Sequence, residues 1–342
     1  MSSERAILII KTSSLGDIIH TLPALTDAHA ADPNIRFDWV VEEAFTEIPG
    51  WHPAVGQVLP VALRRWRKNV IKALYSGQWS AFRRQLKAKR YEAVIDAQGL
   101  IKSAALSLSL KAPVYGPDRR SARDPRAALF YSHPQAIPKQ QHAVERTRQL
   151  FAQSLGYALP DNQGEFALCS TELAAECTVR PSEPYLVFAH ATTWVDKHWP
   201  EPYWCTLANI ATEQGYTVCL PWNSPKEHAR ALRIAGDNPR IRILPQLSLR
   251  AIASVLAGAD RVVAVDTGLC HLTAALDVPC VSLYGPTSPL LIGAYGARQR
   301  HLTLDECGAT DDRLACAEPA IFRPMTPKLV WRALLEIRKE SH

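Results

Sequence analysis

The sequence predicts an α/β protein with two Rossmann-like domains, each built on a parallel sheet. Strand patterns alternate with helical patterns along most of the 342 residues, which is typical of parallel sheets covered by helices. In each half, an apolar run leads through a short glycine-containing turn into a helical segment, at residues 6–30 and 262–276. Such turns direct backbone N–H groups and the positive end of a helix toward anions. We therefore expect two nucleotide-type domains that face one cleft.

The first half contains strands and helices in alternation, interrupted by a basic stretch after the third strand. The predicted elements are strand 5–11, helix 17–31, strand 36–42, strand 57–62, strand 92–96, helix 100–110, strand 112–116 and helix 141–156. Proline, asparagine and glycine then cluster between residues 157 and 184. Because these residues favour turns, this segment is expected to be a linker with at most one short strand.

The second half repeats the alternation. The predicted elements are strand 185–190, helix 200–214, strand 216–221, helix 225–235, strand 240–244, helix 248–257, strand 261–265, helix 268–276 and strand 279–284. Thr326 suits the N-cap and Pro327 the first turn of a final helix. The expected divisions are a first domain at 1–160, a linker at 161–184, a second domain at 185–325, and a C-terminal helix at 326–342 that packs back on the first domain.

A weak internal similarity is consistent with two related domains. Residues 94–100 read Val-Ile-Asp-Ala-Gln-Gly-Leu, and residues 263–269 read Val-Ala-Val-Asp-Thr-Gly-Leu. Equivalent strands of two similar domains would produce this similarity, and so would coincidence.

Composition limits the class of protein. Residues 1–160 hold 22 basic and 13 acidic residues, a net charge of +9, whereas residues 161–342 carry −3; this asymmetry favours an anionic partner for the first half. No apolar run approaches the roughly 20 residues of a membrane span. The N-terminal apolar stretch is too short for a signal peptide, so a cytoplasmic location is expected.

The eight cysteines include no C-x-x-C pair, and in a cytosolic chain they are expected to be free thiols. Cys307 and Cys316, near His301, Asp311 and Asp312, leave a metal site as an alternative. Their spacing matches no standard zinc pattern, so no metal is expected.

Asp17 lies where the first strand passes into a helix, next to Ser13, Ser14 and Gly16. Ligands of open α/β sheets bind at the carboxyl ends of strands, so its side chain is a candidate general base. Its position is equally typical of a helix N-cap. Gly16 lacks a side chain, which would let the backbone approach a ligand; turn geometry alone would also explain this Ser-Ser-x-Gly pattern.

The second half offers polar groups after three strands. Thr192, Thr193 and Lys197 follow the first of these strands, and the lysine suits a diphosphate leaving group; the alternative is a surface lysine. Thr267, Gly268 and Leu269 present N–H groups at a helix start, beside Asp266 and His271. Asp266 suits sugar hydroxyls or the support of the turn, and His271 suits a phosphate contact or a structural role. Glu227 is placed either for ribose hydroxyls or as an exposed first-turn glutamate.

A basic, aromatic-containing stretch follows the third strand. Its first part contains Arg64, Arg65, Arg67 and Lys68 around Trp66, and a second part lies at residues 79–90. Arginines pair with carboxylates and phosphates, and tryptophans favour lipid interfaces. A nucleic-acid surface has a similar composition, but no nucleic-acid module accompanies it, so no nucleic-acid partner is expected.

Several of these motifs resemble the bacterial heptosyltransferases, inverting GT-B enzymes of glycosyltransferase family 9. The resemblance covers roughly residues 5–295 and weakens after about residue 300. The matching segments are 11–25, 38–45, 64–68, 93–106, 139–152, 190–200 and 266–276. The resemblance implies that this chain is the family member that adds the first heptose to Kdo-lipid A in the lipopolysaccharide inner core.

The resemblance implies roles for individual residues. Asp17 corresponds to the catalytic base and Lys197 to the cation that stabilises departing ADP. The donor-binding residues it implies are Thr192, Thr193, Lys197, Glu227, Leu247 (through its main chain to adenine), Asp266, Thr267, Gly268, Leu269 and His271. The acceptor-binding residues are Ser13, Ser14, Gly16, Arg64, Arg65, Arg67, Lys68, Gln98, Lys102 and Arg123.

The expected reaction is transfer of L-glycero-D-manno-heptose from ADP-heptose to the Kdo sugar of Kdo-lipid A, with inversion. The expected partners are these two substrates and the cytoplasmic face of the inner membrane, with no cofactor and no metal. The alternatives are another heptosyltransferase, a GT-B sugar-nucleotide epimerase, and a non-catalytic nucleotide-binding protein at the membrane surface.

Overall fold

The computed structural model describes residues 4–68, 76–175, 177–307 and 320–337. The chain divides into two compact units, Met1–Leu168 and Cys169–His342. This division falls inside the segment 161–184, which the sequence predicts to be a linker with at most one short strand. The described part of that segment contains a short helix, Ser170–Ala175, so this part of the prediction is wrong. Within the described ranges, none of the helices has the length and apolar character required to span a bilayer.

The first unit is a six-stranded parallel sheet with helices between its strands. Its elements are β1 (Arg5–Ile10), α1 (Leu15–Ile19), α2 (Leu22–Ala31), β2 (Ile35–Glu42), α3 (Glu47–Gly50), β3 (Val55–Val61), α4 (Leu63–Lys68), α5 (Gln78–Lys87), β4 (Ala93–Asp96), α6 (Ile101–Ser107), β5 (Val114–Pro117), β6 (His133–Gln135) and α7 (Ala143–Leu155), with short 3-10 helices at Glu43–Phe45 and Pro125–Phe130. The strand order is β3-β2-β1-β4-β5-β6. All pairs are parallel, as in a dinucleotide-binding fold.

The second unit has the same architecture. Its elements are α8 (Ser170–Ala175), β7 (Tyr185–Ala189), α9 (Glu201–Glu213), β8 (Thr217–Leu220), α10 (Pro225–Ala235), β9 (Ile241–Ile243), α11 (Leu249–Ala257), β10 (Arg261–Val265), α12 (Gly268–Ala275), β11 (Cys280–Tyr284), α13 (Pro289–Ile292), β12 (Gln299–Thr303) and α14 (Pro327–Glu336), with 3-10 helices at Val195–Lys197, Leu304–Glu306 and Ala320–Phe322. The order β12-β11-β10-β7-β8-β9 is parallel throughout. The prediction of two Rossmann-like units is confirmed.

The central strands are apolar because helices cover both faces of each sheet. Ala6–Ile10 of β1 and Val262–Val265 of β10 are buried, so these parts of the strands appear in the sequence as continuous hydrophobic runs. The internal similarity falls on β4 and β10. Each is the fourth strand of its unit and lies beside the first, so the similar segments occupy equivalent places in the two sheets.

The structure corrects three further expectations. The helix predicted at 17–31 is two helices, since Pro23 in the first turn of α2 has no N–H to continue the hydrogen bonds of α1. Strands β6 and β12 are absent from the prediction. Both are edge strands with polar or proline-containing sequences, and such strands lack the apolar signal of a central strand.

The final helix is the third correction. Thr326 caps it, because its hydroxyl accepts from the Leu329 N–H at 3.4 Å, as the sequence predicts. Val330, Ala333 and Leu334 belong to the apolar core of the second unit. The sequence places this helix against the first domain, but these apolar side chains are buried in the second; residues 338–342 lie outside the described ranges.

A buried ion pair connects α2 and α7 in the first unit. Arg148 is 1% exposed, and its Nε donates to Asp27 Oδ2 at 2.6 Å. The same guanidinium donates to Glu145 and to the backbone oxygen of Asn162. Gly164 lies against this side chain, since an added Cβ would lie 2.9 Å from Arg148 Cδ. Arg148 therefore helps to attach the segment after α7 to the domain, together with the Tyr157 hydroxyl, which donates to the Ala24 carbonyl oxygen at 3.5 Å.

We predict that Arg148→Met lowers the free energy of unfolding by about 3–5 kcal/mol, because Asp27 is left buried without its partner. Urea unfolding followed by circular dichroism measures the change. The double variant Asp27→Leu/Arg148→Met should recover part of the loss, since it removes both charges. Unchanged stability in the single variant would contradict the role of this pair.

Candidate active site

The first candidate half-site lies at the carboxyl ends of β1 and β4. These neighbouring strands have connections that leave in opposite directions, which is where open α/β sheets bind ligands. Lys11 follows β1, and its Nζ donates to the Ala97 carbonyl oxygen at 2.8 Å. Gln98 Oε1 accepts from the backbone N–H groups of Thr12 at 3.0 Å and Ser13 at 3.2 Å. The turn after β1 is thereby fixed to the end of β4.

Asp17 is the third residue of α1, and Ser14 is the N-cap. The alternative that Asp17 is the N-cap is therefore wrong, because the N-cap lies three residues before it. Its Oδ2 accepts from the Ser14 N–H at 2.8 Å and the Ser14 hydroxyl at 3.1 Å. Lys11 Nζ lies 4.0 Å from Oδ1, and the carboxylate is one-third exposed. One oxygen thus supports the turn, and the other faces a cation and solvent.

The charges around Asp17 favour its ionised form. Burial raises the pKa of this carboxyl, but the Lys11 ammonium, the hydrogen bonds from Ser14 and the charge of Arg123 outweigh burial and hold the pKa below its ordinary value. Burial lowers the pKa of Lys11, against the attraction of Asp17 and Asp96. Asp17 is consequently a carboxylate at neutral pH.

The structure brings some of the expected acceptor residues together and gives others a different role. Gly16 and Gln98 are buried, and Gln98 fixes the turn. Ser13 is half-buried, while Ser14, Lys102 and Arg123 are exposed. Arg146 of α7 was missed. Its charge acts on both Asp17 and Lys11. It lies inside the matching segment 139–152, where nothing in the local sequence marked it as a functional residue.

The basic residues of α4 are not equivalent. Arg65 pairs with Glu43 at 2.9 Å and also donates to Gln78, so part of its charge is neutralised. The Arg64 guanidinium lies 5.5 Å from the centre of the Phe45 ring. Arg67 and Lys68 are exposed, with no hydrogen bond or ion pair to another described residue. Arg64, Arg67 and Lys68 are therefore more available to an anion than Arg65.

The second candidate half-site lies at the ends of β7 and β10, the equivalent pair of strands. Lys197 Nζ lies 2.5 Å from Asp266 Oδ2. The Thr192 hydroxyl donates to the Asp266 carbonyl oxygen at 3.1 Å. Thr287, which the sequence analysis missed, donates from its hydroxyl to Asp266 Oδ2 at 2.7 Å; the Gly-Pro-Thr segment after β11 was its only signal. Asp266 therefore supports the turn and orients Lys197, while Lys197 Nζ also lies 4.9 Å from the Trp194 ring centre.

The start of α12 forms the floor of this half-site. Thr267 is the extended N-cap and Gly268 the first helical residue, and the first N–H groups of a helix have no partner within it. Leu269 is half-buried beside them. His271 is buried with Nε2 at 4.0 Å from Asp266 Oδ1. Thr193 is exposed on the loop that carries Lys197.

Glu227 and Leu247 lie at the ends of β8 and β9. Glu227 Oε2 accepts from the Asn223 N–H at 2.7 Å, and the Ser224 hydroxyl accepts from the Glu227 N–H, so this carboxylate is a helix-capping group. Gln246 donates to the Asn223 carbonyl oxygen at 3.1 Å, which places the segment containing half-buried Leu247 beside the capping turn. The two expected nucleoside-binding segments are adjacent.

Seven cysteines lie in the described residues, and all are free thiols there. The eighth, Cys316, lies outside those ranges, together with Asp311 and Asp312. Across the described part of the chain, no group of three or more His, Cys, Asp or Glu side chains is arranged to hold a metal ion.

Comparison with known proteins identifies the family. The profile of glycosyltransferase family 9 (heptosyltransferase) matches residues 79–321. The chain belongs to this family. It is 57% identical over 300 residues to lipopolysaccharide heptosyltransferase 1 of Pseudomonas aeruginosa, covering 87% of this chain and 84% of that protein.

Solved structures of family 9 enzymes show the same fold. The E. coli heptosyltransferase WaaC with ADP is 48% identical, covers 97% of this chain and 100% of its own, and superposes with a TM-score of 0.88. WaaC with ADP-2-deoxy-2-fluoro heptose gives a TM-score of 0.85 at 48% identity, with 97% and 99% covered. The predicted GT-B class and the prediction that the protein is a glycosyltransferase are confirmed.

In this family 9 protein, we predict that Lys11→Met raises the pKa of Asp17, because the cation that opposes the effect of burial is removed. Carbon-13 NMR titration of carboxyl-labelled aspartates measures the pKa, with Asp17→Asn used to assign the signal. Lys111→Met, which changes an exposed lysine, should leave that pKa unchanged. An unchanged or lowered Asp17 pKa in Lys11→Met would contradict the electrostatic role of Lys11.

Proposed function

We propose that this protein transfers L-glycero-D-manno-heptose from ADP-heptose to the Kdo sugar of Kdo-lipid A, with inversion, in assembly of the lipopolysaccharide inner core. The observation that carries the proposal is the placement of Asp17 and Lys197 at equivalent positions of two Rossmann-like units, in a chain with extensive identity to heptosyltransferase 1. A solved relative that holds an ADP-heptose analogue supports the donor.

The first unit supplies the base and the acceptor-binding groups. Asp17 Oδ1 takes the proton of the acceptor hydroxyl, while Ser14 holds Oδ2 and so fixes the carboxylate. The hydroxyl oxygen bonds to the anomeric carbon as the bond from that carbon to ADP breaks. A carboxylate with a depressed pKa is a weak base. It therefore suits a reaction in which the proton leaves late, after much of the leaving-group bond has broken.

The second unit binds the donor. Lys197 and the N–H groups at the start of α12 stabilise the charge that develops on the departing diphosphate. Asp266 orients Lys197 through its 2.5 Å ion pair, and Thr287 orients Asp266. Glu227 and the Leu247 main chain contact the nucleoside. ADP-heptose is a substrate, and the proposal includes neither a cofactor nor a metal.

The anionic acceptor is recognised by cations of the first unit. Kdo-lipid A presents carboxylates and phosphates, to which arginines bind by paired hydrogen bonds. Arg64, Arg67 and Lys68 are exposed for this contact, and Arg123 and Arg146 surround Asp17. We place the protein on the cytoplasmic face of the inner membrane as a peripheral enzyme, where this acceptor is embedded.

A transfer assay with labelled ADP-heptose and Kdo-lipid A tests the proposal. Heptosylated Kdo-lipid A with release of ADP is the expected result. Transfer only to an acceptor that already carries heptose would indicate another heptosyltransferase. Conversion of a sugar nucleotide to its epimer, without transfer, would indicate an epimerase. Binding of nucleotide without turnover on any of these substrates would indicate a non-catalytic protein.

We predict that Asp17→Asn binds both substrates but slows the chemical step by about 10²–10⁴-fold, because asparagine keeps the shape but does not accept the proton. Single-turnover kinetics measure this step. An amide oxygen can still accept from Ser14, and thermal unfolding measures the separate cost of leaving buried Lys11 without its charged partner. Asp32→Asn is the matched control, since Asp32 also caps a turn, at the amino end of β2. Near-parental turnover in Asp17→Asn would remove the base assignment.

We predict that Lys197→Ala slows turnover, with a loss of roughly 2.7–4 kcal/mol of transition-state stabilisation. The analogy is the loss of one hydrogen-bond donor to a developing negative charge. Lys226→Ala, which changes an exposed lysine of the same unit, is the control. A turnover within about tenfold of the parent, corresponding to less than roughly 1.4 kcal/mol, would show that Lys197 has another role.

A further inference from the structure

Helix α5 has an apolar face and a basic face. Phe82 and Leu86, one turn apart, are buried in the core of the first unit. Trp79 packs on the same side, with its ring centre 5.6 Å from that of Trp66. The opposite face exposes four basic side chains, which we call the α5 basic face. Its members are Arg83, Arg84, Lys87 and, just beyond the helix, Arg90.

These four side chains have no partners within the described part of the protein. None makes a hydrogen bond or an ion pair with another described residue, in contrast to Arg65, which pairs with Glu43, and Lys89, which lies 3.5 Å from Glu4 and Asp38. The local sequence offers no opposite charge. Residues 48–91 contain ten lysines and arginines and no aspartate or glutamate.

Two ordinary explanations account for only part of this pattern. Basic residues in the last turn of a helix complement its dipole, which explains Lys87 and Arg84. The dipole effect does not extend to Arg90, beyond the helix end. A surface that serves solubility mixes charges of both signs, whereas this one carries a single sign. The remaining explanation is attraction to an anionic partner.

We propose that the α5 basic face binds the anionic phospholipid headgroups of a bilayer surface. Arg83 and Lys87 are separated by about 6 Å along the helix, at 1.5 Å per residue, and Arg90 lies beyond the helix end, so the charges are spread over several headgroups. The face is fixed from behind by Phe82 and Leu86. Attraction of this kind acts over the Debye length and needs no pocket.

The partner is thus a membrane surface rather than the phosphates of a single acceptor molecule. This inference rests on the proposed function only in that an enzyme acting on a lipid-linked acceptor benefits from such attachment. Binding to vesicles that contain no acceptor tests it independently of catalysis.

The test compares two matched double variants of the full-length protein. Arg83→Gln/Lys87→Gln removes one arginine and one lysine four residues apart on α5. Lys328→Gln/Arg332→Gln removes the same pair at the same spacing on α14, where both side chains are exposed and have no hydrogen bond or ion pair to another described residue. Glutamine has nearly the helix propensity of the residues it replaces, so both variants should fold. Thermal unfolding checks this.

Sedimentation with vesicles of phosphatidylcholine containing about a quarter phosphatidylglycerol measures binding. We expect the α5 variant to lose roughly 25-fold in partition coefficient, since each basic residue near an anionic surface contributes about fivefold. The α14 variant should bind like the parent. Parental binding should fall as added salt shortens the Debye length from about 10 Å to about 3 Å.

Three outcomes would overturn the proposal. They are equal vesicle binding by the parent and the α5 variant, equal loss in both variants, and a loss of binding to a single-stranded RNA probe with vesicle binding unchanged. The last would assign the face to nucleic acid. Transfer to detergent-dissolved Kdo-lipid A should be the same in the α5 variant and the parent. Absence of that transfer in the parent would contradict the proposed function while leaving the vesicle result valid.

Discussion

Each half-site depends on the gap between two neighbouring parallel strands whose connections leave in opposite directions. Strands β1 and β4 form this pair in the first unit, and β7 and β10 form it in the second. Backbone hydrogen bonds pair the two strands, and side-chain contacts just beyond the last pair also join their carboxyl ends. Lys11 and Gln98 do so in one unit, and Thr192 with Asp266 in the other. The functional groups are attached to these contacts.

Each half-site contains a lysine–aspartate pair, but the buried, supporting member is the lysine in one unit and the aspartate in the other. In the first, Lys11 is buried and supports Asp17, the base in the proposed reaction. In the second, Asp266 is buried and supports Lys197. A buried charge requires a partner to offset its lost hydration. The supporting residue therefore supplies orientation and charge balance, while its partner keeps access to solvent. Lys197 and Asp266 are in close contact at 2.5 Å. The 4.0 Å distance between Lys11 Nζ and Asp17 Oδ1 leaves room for a hydroxyl at that oxygen.

The sequence was sufficient for the central strands and for the two turns, because both carry strong local signals. Ala6–Ile10 and Val262–Val265 are continuous apolar runs, and Gly16 and Gly268 mark the turns. It was insufficient where the structure depends on distant contacts. Thr287 meets Asp266 from 21 residues away, and edge strand β6 contains a proline that argues against a strand. The neutralisation of Arg65 by Glu43 likewise depends on the packing of α4 after β3, which the local pattern does not specify.

A helix cap and a functional carboxylate need not be alternatives. In Asp17 and in Glu227, the oxygen that accepts backbone N–H groups of the preceding turn fixes the rotamer. The second oxygen is then held in a defined direction at little further entropic cost. The hydrogen bonds that fix Asp17 also stabilise its charge, so orientation is obtained at the expense of basicity. For Glu227 there is no such conflict, because contact with nucleoside hydroxyls requires an acceptor rather than a base. The same local motif therefore suits both units, and only in the first does it restrict the timing of the chemistry.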